Sequence, residues 1–301
     1  MNGQDNAFCG NLKDLAGYMA AEKIAVVTGS SSGIGLLTAV ELARNGYRVV
    51  ATMRNLDNRG RLEEAAQKAG VGERLDLRRL DITETDALAD VVDGVVRDHG
   101  RIDVLVNNAG FSVAGFAEDM TLAELRHQLE TNFFGNVAMT KAALPVMRAQ
   151  KAGHIITVTS VAGRVGQPLL SAYSASKYAL EGWSESLRIE THSLGIRVSL
   201  VEPGAFDTDI WDRNVVIAKG GLDPKSPNKA RSERFAEFIK NSAKHRRDAR
   251  EVAKLIVRIA GTPNPKLRYL IGGDAKMQVW LKRILPWRKY ERIVAKAVKI
   301  D

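Results

Sequence analysis

Tyr173 and Lys177 stand four residues apart in SAYSASKYALEGWSESLRIE, a spacing that puts both side chains on one face if the segment is helical. A lysine ammonium beside a phenol stabilises the phenolate and pulls down a pKa that starts at about 10. A tyrosine so placed can give or take a proton near neutral pH. Tyr-x-x-x-Lys pairs also arise by chance, so the neighbours decide. Ser160 ends the apolar run HIITVTS, at the carboxyl end of a candidate strand, where ligands sit in an open parallel sheet. A hydroxyl there can hold a substrate carbonyl, although Ser160 alone also reads as a cap or turn residue.

A second chemical feature lies near the start. VVTGSSSGIGLLTAVELARNG passes from an apolar strand through a glycine-rich turn into a helix, with Gly29, Gly33 and Gly35 in the turn beside Ser31, Ser32 and Ile34. Free amides and the positive end of the helix dipole would meet there, which suits a pyrophosphate. A plain flexible turn is the alternative. About 20 residues on, dinucleotide folds carry an acid for the ribose hydroxyls. This chain has Ala51-Thr52-Met53-Arg54-Asn55 there, with no acid. A carboxylate would repel a 2′-phosphate and the Arg54 guanidinium can pair with it, so the expected cofactor is NADP(H), favoured over NAD(H). The other reading of Arg54 is a solvated surface arginine.

The elements needed to position these groups follow from periodicity. Short β-branched runs at Ile24–Thr28, Tyr47–Thr52, Arg74–Leu80, Ile102–Val106, His154–Thr159, Ile196–Val201 and Leu267–Ile271 alternate with helical patterns near 34–45, 60–69, 84–98, 121–150, 172–194 and 248–260. That alternation predicts an α/β fold: one doubly wound parallel sheet of the Rossmann type, about seven strands with helices on both faces, in a single domain. The expected organisation is an N-terminal extension over 1–21, an NAD(P)-binding catalytic domain over 22–272 and a basic amphipathic extension over 273–301. AKGGLDPKSPNKA at 218–230 reads as a mobile insertion.

Further motifs stand in a fixed order: NNAG at 107–110, TNFFG at 131–135 and PGAFDT at 203–208. With the turn and the Ser160, Tyr173, Lys177 set, they make residues 22–272 resemble the single-domain branch of the short-chain dehydrogenase/reductase family. The resemblance implies that Tyr173 is the proton donor or acceptor, that Lys177 binds the nicotinamide ribose and lowers the tyrosine pKa, and that Ser160 orients the reacting oxygen. It implies that Asn132 completes a catalytic tetrad, interrupting its helix and holding a water that connects Lys177 to solvent. Asp81 would be the adenine-binding aspartate, with Ile82, Asn108, Ala109, Gly110, Pro203 and Gly204 also on the cofactor. Thr208 would reach the nicotinamide carboxamide or the phosphates, and Asn107 would tie the central strands together. Asp81 also fits a helix start, since Asp-x-x-Glu is a capping signal. Glu202 departs from the family pattern, in which an asparagine often precedes Pro-Gly; that puts a local hydrogen bond in doubt.

The expected function is reversible hydride transfer between nicotinamide C4 and a carbonyl or alcohol carbon, with Tyr173 as general acid/base. Phe206, Ile210, Trp211, Val215, Val216, Phe235 and Phe238 are candidate pocket residues, or else simply core. The stretch after the second strand and the segment after Pro-Gly look like those of hydroxysteroid and retinol dehydrogenases, which implies a small apolar substrate of steroid, retinoid or lipid type. The alternative is a non-catalytic dinucleotide-sensing regulator on the same fold.

Composition bounds the rest. The chain has 301 residues, 45% hydrophobic and 26% charged, which is globular. One cysteine, Cys9, excludes an internal disulfide and a thiolate metal cluster. His99, His127, His154, His192 and His245 lack metal-site spacing, so no metal is expected. No signal peptide or spanning run is legible, and a cytoplasmic protein is expected. The net charge of +9 hides an asymmetry, because residues 219–301 carry 22 basic and 8 acidic side chains. No nucleic-acid motif accompanies that charge, so no nucleic-acid partner is expected. Met277, Trp280, Leu281, Ile284 and Leu285 fall at helical spacing before Pro286, which would break or kink the helix. That helix either makes peripheral contact with a membrane or packs on the core or a second subunit. A homo-oligomer is implied by the resemblance alone.

Overall fold

A computed structural model describes residues 22–298, apart from Asp212 and 243–245. The N-terminal extension, with Cys9, lies outside the described residues, as does His245. Seven strands make one sheet: β1 (Ile24–Val27), β2 (Arg48–Met53), β3 (Leu75–Arg79), β4 (Val104–Asn107), β5 (Gly153–Val158), β6 (Ile196–Pro203) and β7 (Arg268–Ile271). Their order is β7-β6-β5-β4-β1-β2-β3 and every pairing is parallel. Successive side chains point to opposite faces, so Ala25 and Val27 enter one core and Ile24 and Val26 the other. A sheet covered on both faces needs apolar residues at every central position, which explains the unbroken IAVV of β1.

Ten helices clothe the sheet among the described residues: α1 (Gly33–Arg44), α2 (Gly60–Lys68), α3 (Leu88–His99), α4 (Leu122–Leu129), α5 (Asn136–Gln150), α6 (Ser171–Glu190), α7 (Lys229–Ser242), α8 (Arg250–Ala260), α9 (Gly273–Ile284) and α10 (Trp287–Ala297). Helices α1, α2 and α8 fill one face, and α3, α5 and the end of α6 the other. The order of successive strands reverses between β1 and β4, β2 and β3 lying on one side and β4 to β7 on the other, so the carboxyl ends of these strands open the crevice in which an α/β sheet binds ligands.

Three elements differ from the sequence reading. The helix expected over 121–150 is two helices, separated by a π-helical turn over Glu130–Gly135. Side chains hold that irregularity, since Asn136 Nδ2 donates to the carbonyls of Thr131 at 3.4 Å and Asn132 at 2.9 Å. The segment read as a mobile insertion is tethered: Lys219 N donates to Glu124 Oε1 at 2.8 Å, and Ser226 Oγ to Asp119 Oδ1 at 2.7 Å. The short strand Val215–Ile217 before it pairs with Ser112–Ala114. Helix α7, which follows, was not among the helices expected from periodicity. Pro286 separates α9 from α10, where the chain breaks as proline requires.

Candidate active site

The crevice is a cavity of about 930 Å³. At its base the chain leaves β1 through Gly29, whose φ of +69° suits glycine. A Cβ there would come within 2.9 Å of Ala109 Cα. Asn108 braces the turn by donating from Nδ2 to the carbonyls of Thr28 at 2.9 Å and Gly29 at 3.1 Å. Thr28 Oγ1 in return accepts from the amides of Asn108 at 2.9 Å and Ala109 at 3.0 Å. Asn108 thus ties β1 to β4. Asn107, expected to tie strands, instead donates to Thr140 Oγ1 on α5 at 2.7 Å, because its side chain points off the sheet face.

Ser32 makes no side-chain capping bond on helix α1 and its first turn carries no acid of its own, so its amides face the cavity; Asp209, paired with Arg61, brings its Oδ2 to 4.0 Å from where a Cβ on Gly33 would sit. This cradle fits the pyrophosphate of a dinucleotide, with Gly29, Ser31, Ser32, Gly33 and Ile34 along its wall. Thr208 lies over it, its Cβ 3.7 Å from where a Cβ on Gly33 would sit. Further out, Arg54 lines the cavity at the end of β2, beside Asp81 and Ile82 at the end of β3. Asp81 begins no helix: its Oδ1 accepts from Thr83 N at 3.0 Å and Thr83 Oγ1 at 2.7 Å, while Glu84 pairs with Arg79. Partial burial raises the Asp81 pKa, but the Thr83 bonds, then Arg54 and Arg79, hold it below the usual carboxylate value.

Helix α6 buries Tyr173, Ser176, Lys177, Leu180, Glu181 and Ser184 along one stripe, which carries Tyr173 and Lys177 to the cavity wall together. Ser160 meets them from the end of β5. Its Oγ accepts from Ala162 N at 3.1 Å and donates to Pro203 O at 3.5 Å. Burial drives the Tyr173 phenol up to about 12, with the nearby Ser160 hydroxyl pulling it down. Lys177 Nζ donates to Val158 O at 2.9 Å and sits 5.6 Å from the tyrosine ring centroid. Burial brings the lysine down to about 8, opposed by Glu181. Two groups sharing one dry wall each favour the neutral form.

Asn132, in the π turn, stays behind the wall. Its Oδ1 accepts from Phe111 N at 3.1 Å, and its Nδ2 donates to Phe111 O at 2.9 Å and Ser176 Oγ at 3.2 Å. These bonds lock the chain after β4 to α6 one turn from Tyr173.

The model of the family described as short chain dehydrogenase matches residues 23–215. The chain belongs to the short-chain dehydrogenase/reductase family. It is 38% identical over 276 residues to the uncharacterized oxidoreductase YusZ of Bacillus subtilis (strain 168), covering 91% of this chain and 98% of that one. It is also 38% identical to retinol dehydrogenase 8 of Bos taurus, over 82% of this chain and 81% of that one. Among solved structures it resembles a short-chain dehydrogenase from Streptomyces avermitilis, with TM-score 0.75 and 32% identity, covering 90% of this chain and 98% of that one. As a short-chain dehydrogenase/reductase the protein is an oxidoreductase that acts on CH–OH groups and uses NAD(P).

This short-chain dehydrogenase/reductase brings nearly all the expected residues to one cavity: Gly29, Ser31, Ser32, Gly33, Ile34, Arg54, Asp81, Ile82, Asn108, Ala109, Gly110, Ser160, Tyr173, Lys177, Pro203, Gly204 and Thr208 line it. Gly35 and Asn132 do not line it and act from behind. Phe206, Ile210, Trp211, Val215, Val216 and Phe235 line its far end, while the Phe238 side chain lies outside the described ones. Sequence reasoning missed Thr28, Asn136 and Ser176. Asn136 had a signal, since two asparagines at i, i+4 inside an apolar helical pattern invite explanation.

Glu202 resolves the departure from the family pattern. It is buried on β6, and Arg164 Nη1 donates to its two oxygens at 3.1 and 3.2 Å. Arg268 lies 3.5 Å from Glu202 and 2.8 Å from Glu181. Burial, then the Glu181 carboxylate, push Glu202 up to about 7 against Arg164 and Arg268. An acid raised by folding binds its proton more tightly in the folded chain, so its contribution to stability falls as pH rises from the unfolded value through about 7. Glu202→Gln imitates the protonated form. It should gain about 1–3 kcal/mol on wild type between about pH 5 and about pH 8, seen as a rising Tm difference. Parallel Tm curves across that range would refute the shift.

Proposed function

We propose that the enzyme prefers NADP(H) and interconverts a carbonyl and an alcohol on an apolar substrate of steroid, retinoid or lipid type. The observation that carries this reading is the convergence of Ser160, Tyr173 and Lys177 on the wall of a cavity that Phe206, Ile210, Trp211, Val215, Val216 and Phe235 also line, with Asn214 and Glu233 among them. Similarity to a retinol dehydrogenase supports the same substrate class. The bound nicotinamide supplies or accepts the hydride at C4. Tyr173 handles the proton at the substrate oxygen. Its burial keeps the phenol protonated before reaction, which suits donation in the reductive direction. Ser160 holds the same oxygen by its hydroxyl, and Lys177 binds the ribose and offsets charge developing on the phenolate. Asn132 completes the set by fixing α6 and the chain after β4 and by holding a water that connects Lys177 to solvent. The same reading has the enzyme work in the cytoplasm as a homo-oligomer, with its C-terminal helices touching a membrane.

Consumption of NADPH against a panel of apolar ketones and aldehydes tests the activity; a panel with no turnover would end the reading. The cofactor preference has its own test. Arg54 stands at the β2 end without the acid that would repel a 2′-phosphate, and a charge-assisted contact is worth about 1.5–3 kcal/mol. Arg54→Ala should therefore weaken NADP(H) binding about 10- to 100-fold and leave NAD(H) nearly unchanged. Equal losses for both would remove the preference.

A further inference from the structure

The last two helices divide their apolar residues between opposite faces. Ala275, Val279, Leu281, Leu285, Tyr290 and Val294 point inward and pack with Val161, Val165 and Leu270, just beyond Ser160. Met277, Trp280 and Ile284, spaced by three and four, point outward and are 59%, 58% and 49% exposed. Trp287, after the proline break, is 63% exposed. Among the described residues Trp287 meets the edge of the inner stripe, its ring 5.6 Å from that of Tyr290, while Met277, Trp280 and Ile284 stand out from it, and a large apolar stripe in water marks an interaction surface.

Charge says what covers it. Lys276 and Arg283 flank the outward stripe on α9, and Arg288, Lys289, Arg292 and Lys296 are exposed on α10. The acids of the two helices are Asp274 and Glu291. Asp274 is turned inward, where its Oδ2 accepts from Ala205 N at 2.8 Å. Two copies meeting through this face about a two-fold axis would bring cation against cation. An anionic bilayer gives both halves of the surface what they lack, hydrocarbon for the indoles and phosphates for the cations.

We propose that the outer face of α9 and α10 is a docking surface for an anionic phospholipid bilayer. Met277, Trp280, Ile284 and Trp287 enter the interfacial layer and the α10 cations lie among the headgroups. The surface belongs to the same helix as the cavity wall: Asp274 and Gln278 line the cavity, and Gln278 Oε1 accepts from Gln167 Nε2 at 2.7 Å. Docking through α9 therefore sets the cavity beside the bilayer, and an apolar substrate can pass from lipid without crossing water. The docking rests on the membrane contact of the proposed function and names its lipid, and this last consequence rests also on the proposed substrate class.

The test is flotation of the full chain with vesicles of phosphatidylcholine alone and of phosphatidylcholine with phosphatidylglycerol. The protein should float with the anionic vesicles at low salt and be released by high salt. Trp280→Glu should cut the partition about tenfold or more. Arg288→Gln, Lys289→Gln and Arg292→Gln should each cut it about fivefold. Blue-shifted tryptophan emission, quenched by brominated acyl chains in wild type and lost in a Trp280→Phe, Trp287→Phe double variant, guards against a misfolded variant. No flotation, equal flotation with neutral vesicles, or variants that float like wild type would overturn the proposal. So would a change of oligomeric mass in Trp280→Glu without a change in vesicle binding, which assigns the face to a second copy. Turnover of the panel of apolar ketones and aldehydes, dispersed in a neutral detergent without vesicles, separates the two readings. Activity without flotation sinks the docking surface, and flotation without activity sinks the proposed function instead.

Discussion

Tyr173→Phe should turn over carbonyl substrates about 10²- to 10⁴-fold more slowly than wild type while binding NADPH with nearly unchanged affinity. The change removes one oxygen from a side chain that is 8% exposed and keeps its ring in the packed stripe of α6. A buried phenol oxygen contributes about 1 kcal/mol, so the protein stays folded. In the proposed reaction the lost proton donor has no substitute at the substrate oxygen, because Ser160 is a far weaker acid and Lys177 serves the ribose and Val158 O. Steady-state rates and NADPH fluorescence titration measure the two halves separately. A variant with wild-type rates would show that the proton is handled elsewhere.

Gly35→Ala should lower both Tm and dinucleotide affinity, although alanine is the better helix former. On propensity alone the change favours the fold by about 1 kcal/mol. A Cβ at Gly35, however, overlaps the carbonyl oxygen of Gly29 and the side-chain amide of Asn108. That carbonyl cannot simply swing away, since Asn108 Nδ2 holds it at 3.1 Å. Overpacking against backbone costs about 1–3 kcal/mol or more, so the clash wins and Tm falls by about 2–4 °C for each net kcal/mol. The displaced turn is the anion cradle, so NADPH affinity should fall about tenfold or more. Gly60→Ala on α2, with nothing within 4 Å, is the control and should leave both unchanged or improved. Equal behaviour of the two variants would refute the close-packing role.

Much of the site was legible because its parts are local. Gly29, Gly33 and Gly35 mark a strand–turn–helix, and Tyr173 and Lys177 mark one helix face, in spans short enough for periodicity to place them. Ser160 was placed by the end of a strand. What escaped depends on neighbours far away in the chain. Thr28 and Asn108 brace the turn from strands 80 residues apart, and nothing in either segment names the other. The π turn was hidden because Glu130–Gly135 continues the helical pattern, and only the asparagine side chains that stabilise it reveal the break. Segment 218–230 looked loose from its glycines and prolines, yet its partners Glu124 and Asp119 hold it from another part of the fold.

The sequence by itself determined the parallel α/β architecture and the order of its strands along the chain, and its motifs named most of the residues that the fold brings to the cavity. The architecture follows from hydrophobic period and turn chemistry, which are properties of short segments; much of the residue set came from the resemblance of the motifs to a family. The tertiary structure alone decided how deeply the wall groups are buried, which pushes the Tyr173 phenol up to about 12 and Lys177 down to about 8. It alone also decided which C-terminal apolar residues face the core and which face outward, because one helix presents two stripes and only packing chooses between them.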